Sequence, residues 1–493
     1  MYSSCFSYFS YFFLINIFFI SFLLSLLFIF NIWYKNFSHK LFLSYQYFLI
    51  FSYFIFFIII YFNIYGYLYI YFTNYWLIIN NSFEILNLNF FFTFFSWTFK
   101  FTPDIFGFIL LLIAIFVGFV SFFTLDTRFF YKNLKFFSIC HFLVISIYFF
   151  LFSSDLLIFF LFYEFLLFPS FLLVYFISPN RRGVQSSLYF LIWTQIGSIF
   201  VLLFIIYVYQ FYGVYFFNDL KILCLQKKER WFLYFLLFFG FGFKVPIWPF
   251  HFWLTKTHVE APTGFSIFLS GFLVKSAIYG FYKLALIIGP GLNTSFFSTI
   301  VALGILDSSF KMWGQSDLKK LVAYGTIQEM NIIYLSFCFG DSVFIFGGFL
   351  FCLTHALLST LFFYFVDCIF RRYHTRSVTE LQGILHLNPI LGSVIFIGCI
   401  FYSGLPGTLK FLCEFYIFTG FIDFAPLTFF ILLYSANVIG IIGFCKCWFN
   451  ILFGLSLNLQ KKATIDLTSR EILIISFCFF LLMFLGFYLP WII

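Results

Sequence analysis

Long apolar stretches alternate with short polar breaks from one end of this chain to the other. Within the stretches the apolar positions do not mark one helical face or every second residue, as they would in a soluble helix or a half-buried strand; they run on for about 20 residues, the length a bilayer demands. The breaks carry the charges, prolines, glycines and asparagines. This pattern predicts about fourteen spans near 8–33, 46–79, 105–125, 136–152, 155–177, 184–212, 231–254, 262–288, 295–313, 319–339, 343–370, 388–422, 424–450 and 470–492. The second and twelfth exceed what a straight span needs, so tilt or an interruption must absorb the excess. The predicted fold is all-α and polytopic, with interrupted helices seven and twelve five apart in order. A repeat of five helices aligns those interruptions, as in transporters built from inverted repeats. The expected division is 1–135 (helices one to three), 136–290 (first repeat, helices four to eight), 291–450 (second repeat, helices nine to thirteen) and 451–493 (a polar loop and helix fourteen).

The basic residues test this layout. Of 27 Lys and Arg, 17 fall in or beside loops that follow odd-numbered spans, from Lys35 and Lys40 to Lys461, Lys462 and Arg470. Five fall after even-numbered spans (Lys100, Lys221, Lys227, Lys228 and Arg230), and five lie inside spans. One miscounted helix would scramble that asymmetry. By the positive-inside rule the odd loops share the inner compartment and both termini the outer one.

Composition narrows the class. Charged residues are 9% of 493, against roughly 25% in soluble domains. That excludes an ordinary globular enzyme and, at 63% apolar, a disordered chain as well. Phe alone numbers 95, far beyond what packing requires, and Phe, Ile, Tyr, Leu and Asn are together what AT-rich codons encode. An organellar gene is expected, and aromatic surfaces lose value as functional clues. The odd loops then lie in the mitochondrial matrix. The eleven Cys are scattered without a C-x-x-C run, so neither an iron–sulfur cluster nor a disulfide framework is supported. No Gly-rich phosphate loop follows a strand, and nucleic acid is not an expected partner. The first span has no basic region before it and no cleavage site after it, so it is expected to be retained.

Chemistry enters with charges where charges are expensive. An ionised group at the bilayer centre costs about 2.5–3.5 kcal/mol on insertion scales, so it needs a partner, water or a task. Glu164 lies mid-span in helix five (FYEFLLFP), Lys244 in helix seven (FGFKVPIWPFHFWL), Lys275 in helix eight (FLVKSAIYG) and His355 in helix eleven (LTHALLST). Glu414 follows the interruption of helix twelve (GLPGTLKFLCEF). A single buried Lys or Glu is often a structural ion pair, and a lone His a satisfied core residue; five central ionisable groups exceed what pairing needs. Burial disfavours the charged form and an opposite charge favours it. A lysine that gains and loses a carboxylate neighbour can therefore take up and release a proton. Lys283 and Lys446, nearer helix ends, are expected to snorkel to the interface. Pro246 and Pro249 beside Lys244, and Gly404 to Gly407 before Glu414, free backbone carbonyls at depth, which persist only where protein or water satisfies them.

The stretch KVPIWPFHFWLTKTHVEAPTGFSIFLSGFLVKSAIYG, Lys244 to Gly280, resembles the antiporter-like membrane subunits of respiratory complex I, the proton-translocating NADH:ubiquinone oxidoreductase. HVEAP, from His258 to Pro262, favours the subunit-4 branch over the related subunits 2 and 5. SDLKKLVAYGTI from Ser316, THALLST, RRYHTRSVTELQGI from Arg371 and LPGTLKFLCEF from Leu405 extend the likeness over about residues 100–450. The resemblance implies a carboxylate–lysine pair at Glu164 and Lys244, a central relay lysine at Lys275, a bridging histidine at His355 and a terminal carboxylate at Glu414. It implies that these pass protons from matrix to intermembrane space. It also implies that NADH, FMN, iron–sulfur clusters and ubiquinone are handled by other subunits, with no cofactor in this chain. Subunits 2 and 5, accessory subunits and membrane lipids, cardiolipin among them, are the implied partners. The chain departs from the family where Glu329 (GTIQEMN) replaces a usual His and so becomes a candidate proton carrier; Asp307 and Lys410 are also unusual. A self-contained cation/proton antiporter is the competing reading, and a scaffold that has lost pumping is a third.

The charge asymmetry yields a direct expectation. An epitope inserted between Asp126 and Lys132, after span three, should bind antibody in inverted inner-membrane vesicles and not in intact mitoplasts; the opposite result would invert the topology.

Overall fold

The computed structural model describes residues 90–94, 97–101 and 104–492, apart from 125–133, 179, 222, 224, 290–293, 425–426 and 455–465. The first two predicted spans lie outside the described residues. The described residues begin with a hairpin that the hydropathy pattern does not reveal: strand β1 (Phe90–Phe94) pairs antiparallel with β2 (Trp97–Phe101), Phe90 opposite Phe101 and Phe94 opposite Trp97. A run of aromatics and Thr suits a strand as well as a span, so only length separates the two readings.

Everything else is helical. The first half comprises α1 (Ile105–Thr124), α2 (Leu134–Phe152), α3 (Leu156–Ile177), α4 (Arg181–Tyr212), the short α5 (Phe217–Lys221), α6 (Lys227–Gly242), α7 (Phe252–Glu260), α8 (Thr263–Phe268) and α9 (Val274–Ile288). The second comprises α10 (Thr294–Met312), α11 (Leu318–Phe339), α12 (Ser342–Tyr373), the one-turn α13 (Ile384–Leu387), α14 (Pro389–Tyr402), α15 (Leu409–Phe424), α16 (Leu427–Leu452) and α17 (Ser469–Ile492). Six of these helices, or fused runs such as Thr263–Ala285, are long and apolar enough to cross a membrane by themselves. At 1.5 Å per residue the 20 residues of α1 span about 30 Å.

Both interruptions are present. Helix seven stops at Gly242 and resumes at Phe252; helix twelve stops at Tyr402 and resumes at Leu409. At the first, the freed carbonyls are taken by side chains: Trp253 Nε1 donates to Phe243 O (2.9 Å) and Asn331 Nδ2, on α11, to Pro246 O (3.3 Å). The second turns on Gly404 and Gly407, whose positive φ values of 74° and 95° favour residues without a Cβ, and Thr408 Oγ1 returns to Leu405 O (2.7 Å). A third irregularity was not expected. Residues Leu269–Leu273 form a π-helical turn between α8 and α9, the kind of bulge that collects at functional positions.

The polar segments that interrupt the apolar pattern meet at one end of the bundle. Lys319 Nζ donates to Ala261 O (2.6 Å) and Arg376 to Val259 O (3.0 Å), binding HVEAP to the stretches from Ser316 and Arg371. Leu318 N donates to Arg376 O and Val378 N to Ser316 O, closing a short bridge of backbone between those two stretches. Asp367 pairs with Arg371 (2.7 Å) and accepts from Thr263 (2.5 Å). Arg372, paired with Glu471 at 2.6 Å, ties α17 to α12. The charges of these loops act as a clamp holding helix ends in register.

The π-helical turn packs tightly against α1, since a Cβ added to Gly271 would lie 2.5 Å from Val117 Cγ1. Gly271→Ala should therefore lower the thermal stability of the assembled protein by about 1–3 kcal/mol. Val117→Ala in the same chain should recover most of the loss in a melting experiment; no coupling between the two sites would show that the contact is not tight.

Candidate functional site

The site is built where α3, α9, α11, α12 and α15, together with the non-helical break after α6 that holds Lys244, bring ionisable residues inward. Lys275 begins the second residue of α9, just after the π-helical turn, and is fully buried. Its Nζ donates to Ser270 O (2.7 Å), a carbonyl inside that turn, and lies 2.7 Å from Nδ1 of His355 on α12. The other ring nitrogen of His355 has no hydrogen-bond partner among the described residues. An ammonium held by two neutral acceptors, one of them a base, is arranged to give up a proton: Nζ–H breaks as Nδ1–H forms, and no carboxylate has to move.

Lys244 is equally buried but differently held. Its ammonium lies 4.0 Å above the centre of the Tyr163 ring, and neither it nor Oε1 of Glu164 has a hydrogen-bond partner among the described residues. Glu164 adjoins Tyr163 on α3 and is half-buried; its carboxylate acts electrostatically on Lys244, yet no ion pair within 4.0 Å joins them. The expected carboxylate–lysine pair is thus a through-space relationship spanning a tyrosine ring, worth about 1–2 kcal/mol as a desolvated cation–π contact.

At the far side stand Glu329, Lys410 and Glu414. Lys410, in the first turn of α15, pairs with Glu329 Oε1 on α11 at 2.7 Å and lies 3.8 Å from Glu414 Oε1, one helical turn on. Its ammonium also sits 3.7 Å over the Tyr402 ring. Asn437 Nδ2 donates to Glu414 Oε1 (3.2 Å). The field of Glu329 reaches Lys275, and that of Lys410 reaches His355.

Two readings of sequence need correcting or completing. Lys283 does not snorkel: it is buried, donates to Ser153 O (2.9 Å) and to Tyr279 Oη (3.2 Å), and lies 3.3 Å from Asp104. Hydropathy could not anticipate this, because Asp104 precedes α1 and is 179 positions away. Asp307 pairs with Lys311 on its own helix (2.6 Å) and lies 3.1 Å from His251 Nε2, beside the first interruption. Lys446 is exposed, over the Trp313 ring at 4.9 Å. Sequence reasoning gave no role to Ser270 O. A Lys five residues after a Ser–Gly step offers no general signal for a π-helical turn.

Residues 153–440 match the family model described as NADH:quinone oxidoreductase/Mrp antiporter, TM. NADH-ubiquinone oxidoreductase chain 4 of Paramecium tetraurelia is 45% identical over 390 residues, covering 79% of this chain and 82% of the relative. The chain belongs to this family. The protein of the same name from Arabidopsis thaliana is 33% identical over 58% of this chain and 57% of its own length. Among solved structures, a chain of respiratory complex I from Thermus thermophilus with bound NADH superposes with a TM-score of 0.74 at 19% identity, covering 85% of this chain and 89% of that one. A chain of the Mrp complex from Dietzia superposes at 0.65 and 17% identity, over 76% and 70%. These two likenesses give the fold, a bundle shared by the respiratory and Mrp branches.

The partners of each buried lysine set a structural group apart from a candidate carrier. Lys283, closed off by Asp104, Ser153 O and Tyr279, has the partners of a structural group. Lys283→Met should lower thermal stability by about 1–3 kcal/mol, because Tyr279 Oη and Ser153 O lose their donor, while proton transport per assembled protein stays within twofold of the parent. Loss of transport at normal assembly would make Lys283 a carrier.

Proposed function

We propose that this chain is a proton-translocating membrane-arm subunit of mitochondrial NADH:ubiquinone oxidoreductase, and that Glu164, Lys244, Lys275, His355 and Glu414 carry the protons. The observation that bears most weight is the contact between Lys275 Nζ and His355 Nδ1 at 2.7 Å in the buried centre of the bundle. A structural lysine at that depth would be expected to find a carboxylate; this one has a base and a carbonyl, a geometry suited to transfer. Family membership and the 45% identity to a chain-4 relative favour the respiratory assembly over the self-contained cation/proton antiporter, which shares the bundle.

In this reading the inner mitochondrial membrane holds the chain in many passes, termini toward the intermembrane space and the basic clamp toward the matrix. Subunits 2 and 5 are its antiporter-like neighbours, and cardiolipin is a candidate ligand near the basic loops. Oxidation of NADH, with its flavin, clusters and quinone, takes place in other subunits. This chain contributes proton movement. A proton reaching Lys275 passes from Nζ to Nδ1 of a His355 ring that carries its hydrogen on Nε2; the ring releases that hydrogen from Nε2 and then turns or exchanges its remaining proton to restore the starting tautomer. Toward the entry side, Lys244 is stabilised by the Tyr163 ring and the field of Glu164. An approaching or receding negative charge at Glu164 changes how firmly Lys244 holds its proton. Moving one charge against 100 mV takes about 2.3 kcal/mol, less than the roughly 2.5–3.5 kcal/mol of an uncompensated central charge. Making and breaking one such compensation is therefore enough to drive or block a step.

Lys244→Ala and Glu164→Gln in the intact assembly are expected to leave NADH oxidation by a soluble electron acceptor unchanged while depressing quinone-coupled proton uptake about tenfold. Acidification measured in sealed vesicles checks this, and full pumping by an assembled variant would overturn the assignment of that pair. Sodium transport by the purified chain alone would instead favour the antiporter reading.

A further inference from the structure

Glu329 and Lys410, two of the three charged residues that the sequence marks as unusual beside the family it resembles, touch each other. Glu329 Oε1 and Lys410 Nζ are 2.7 Å apart, on α11 and α15, with both side chains no more than 3% exposed. A compensating pair alone would need nothing more. Here, however, the same ammonium also lies 3.8 Å from Glu414, so one cation stands between two carboxylates on different helices. It is placed awkwardly for a purely structural role: it sits in the first turn of α15, where the helix dipole disfavours a cation. The Gly404–Gly407 break brings it there. Gly404 is close-packed against Glu414, since a Cβ at that position would meet Glu414 Oε2 at 3.1 Å. Tyr402, ending the preceding segment, supplies the ring beneath the ammonium at 3.7 Å. Asn437 donates to Glu414 Oε1, the oxygen that faces Lys410, and holds it in place. On the other side, the fields of Glu329 and Lys410 reach Lys275 and His355 respectively.

We propose that Lys410 is a proton carrier in its own right, linking Glu329 to Glu414 as the last step inside this chain. The inference rests on the proton-relay reading above and extends it to a residue that the family resemblance does not supply. The step balances without any electron change. The Lys410 Nζ–H bond breaks as a Glu414 O–H bond forms, leaving a neutral amine and a neutral carboxylic acid. The amine then takes a proton from protonated Glu329, whose carboxylate is restored, and Glu414 releases its proton onward. Each cycle moves one proton from Glu329 to Glu414 and returns Lys410 to the ammonium. The swing required of Nζ is small, from 2.7 Å at one oxygen to hydrogen-bond distance at another now 3.8 Å away. In this chain the substitution of Glu329 for histidine is thereby made good by a two-residue unit, in which the lysine accepts and donates and the glutamate supplies it.

The test separates a carrier from an ion pair. Lys410→Arg preserves charge, reach and the pair with Glu329, but a guanidinium does not release its proton at any accessible pH. In the intact assembly, in sealed vesicles, Lys410→Arg is expected to keep assembly and electron-acceptor activity while proton-coupled turnover falls about tenfold or more. Glu329→Gln combined with Lys410→Gln removes one charge of each sign, leaves Glu414 its hydrogen bond from Asn437, and carries the same test should the arginine not be accommodated. A carrier predicts that this double variant also assembles and does not pump; a structural pair predicts that it pumps normally. Full pumping by either variant, in a preparation where Lys244→Ala abolishes it, would overturn Lys410 as a carrier and leave the relay standing. Full pumping by Lys244→Ala as well would overturn the relay itself.

Discussion

An ammonium buried at membrane depth has to be compensated from within the protein, and the way each lysine here is compensated determines what the surrounding helices can do. Lys283 has Asp104 at 3.3 Å, a carbonyl and a hydroxyl. Lys410 has two carboxylates and a ring. Lys275 has a carbonyl and an imidazole nitrogen, and Lys244 a ring and a more distant carboxylate. Compensation thus runs from full ionic pairing to almost none. Where compensation is incomplete, burial itself favours release of the proton; where a carboxylate stands alongside, the proton can pass to it and neutralise both groups.

The backbone is arranged to serve these contacts. An unbroken α-helix through Leu269–Leu273 would spend every carbonyl on its own ladder. The π-helical turn leaves Ser270 O able to accept from Lys275, and the absent side chain at Gly271 lets α1 close over the same turn. The interruption after Gly242 exposes Phe243 O and Pro246 O, which Trp253 and Asn331 then satisfy. Asn331 is on α11, two positions beyond Glu329. One helix therefore both seals the first interruption and carries a carboxylate to the second, and a shift in either is felt by the other through a rigid element.

Much of the architecture was legible in hydropathy. From residue 105 onward the predicted spans coincide with the observed helices to within a few positions, and the interruptions expected in spans seven and twelve appear as breaks at Gly242 and Tyr402, the latter absorbing the excess length of span twelve. The reason is physical: a bilayer permits only helices or closed barrels, so length and polarity nearly decide the element. The hairpin Phe90–Phe101 falls between predicted spans two and three, a stretch to which the apolar pattern assigned no element. Of the candidate site, the residue identities were legible and the partnerships were not. Lys275 and His355 are 80 positions apart, Glu329 and Lys410 81, and Lys283 and Asp104 179. Nothing in local pattern fixes which of several buried lysines meets which acid. The one available hint was that Glu329 and Lys410 were both anomalous and opposite in charge.

The difference between the two halves of the bundle has a mechanical consequence. In the half around Lys244 and Lys275 the cations rest on neutral groups, so a proton entering there raises local positive charge with little to absorb it. In the half around Glu329 and Glu414 two carboxylates share one cation, leaving that region short of positive charge. The negative field of Glu329 reaches Lys275 and favours a proton there, while His355 is in direct contact with the same ammonium. The gradient is built from fixed positions of side chains and not from the membrane potential. In the proposed relay such fixed charge sets where a proton rests, and net movement against the potential is driven from outside. A relay of uniformly paired lysines would have no such slope. In that relay, the uneven pairing of the buried lysines is what makes their affinities for a proton differ.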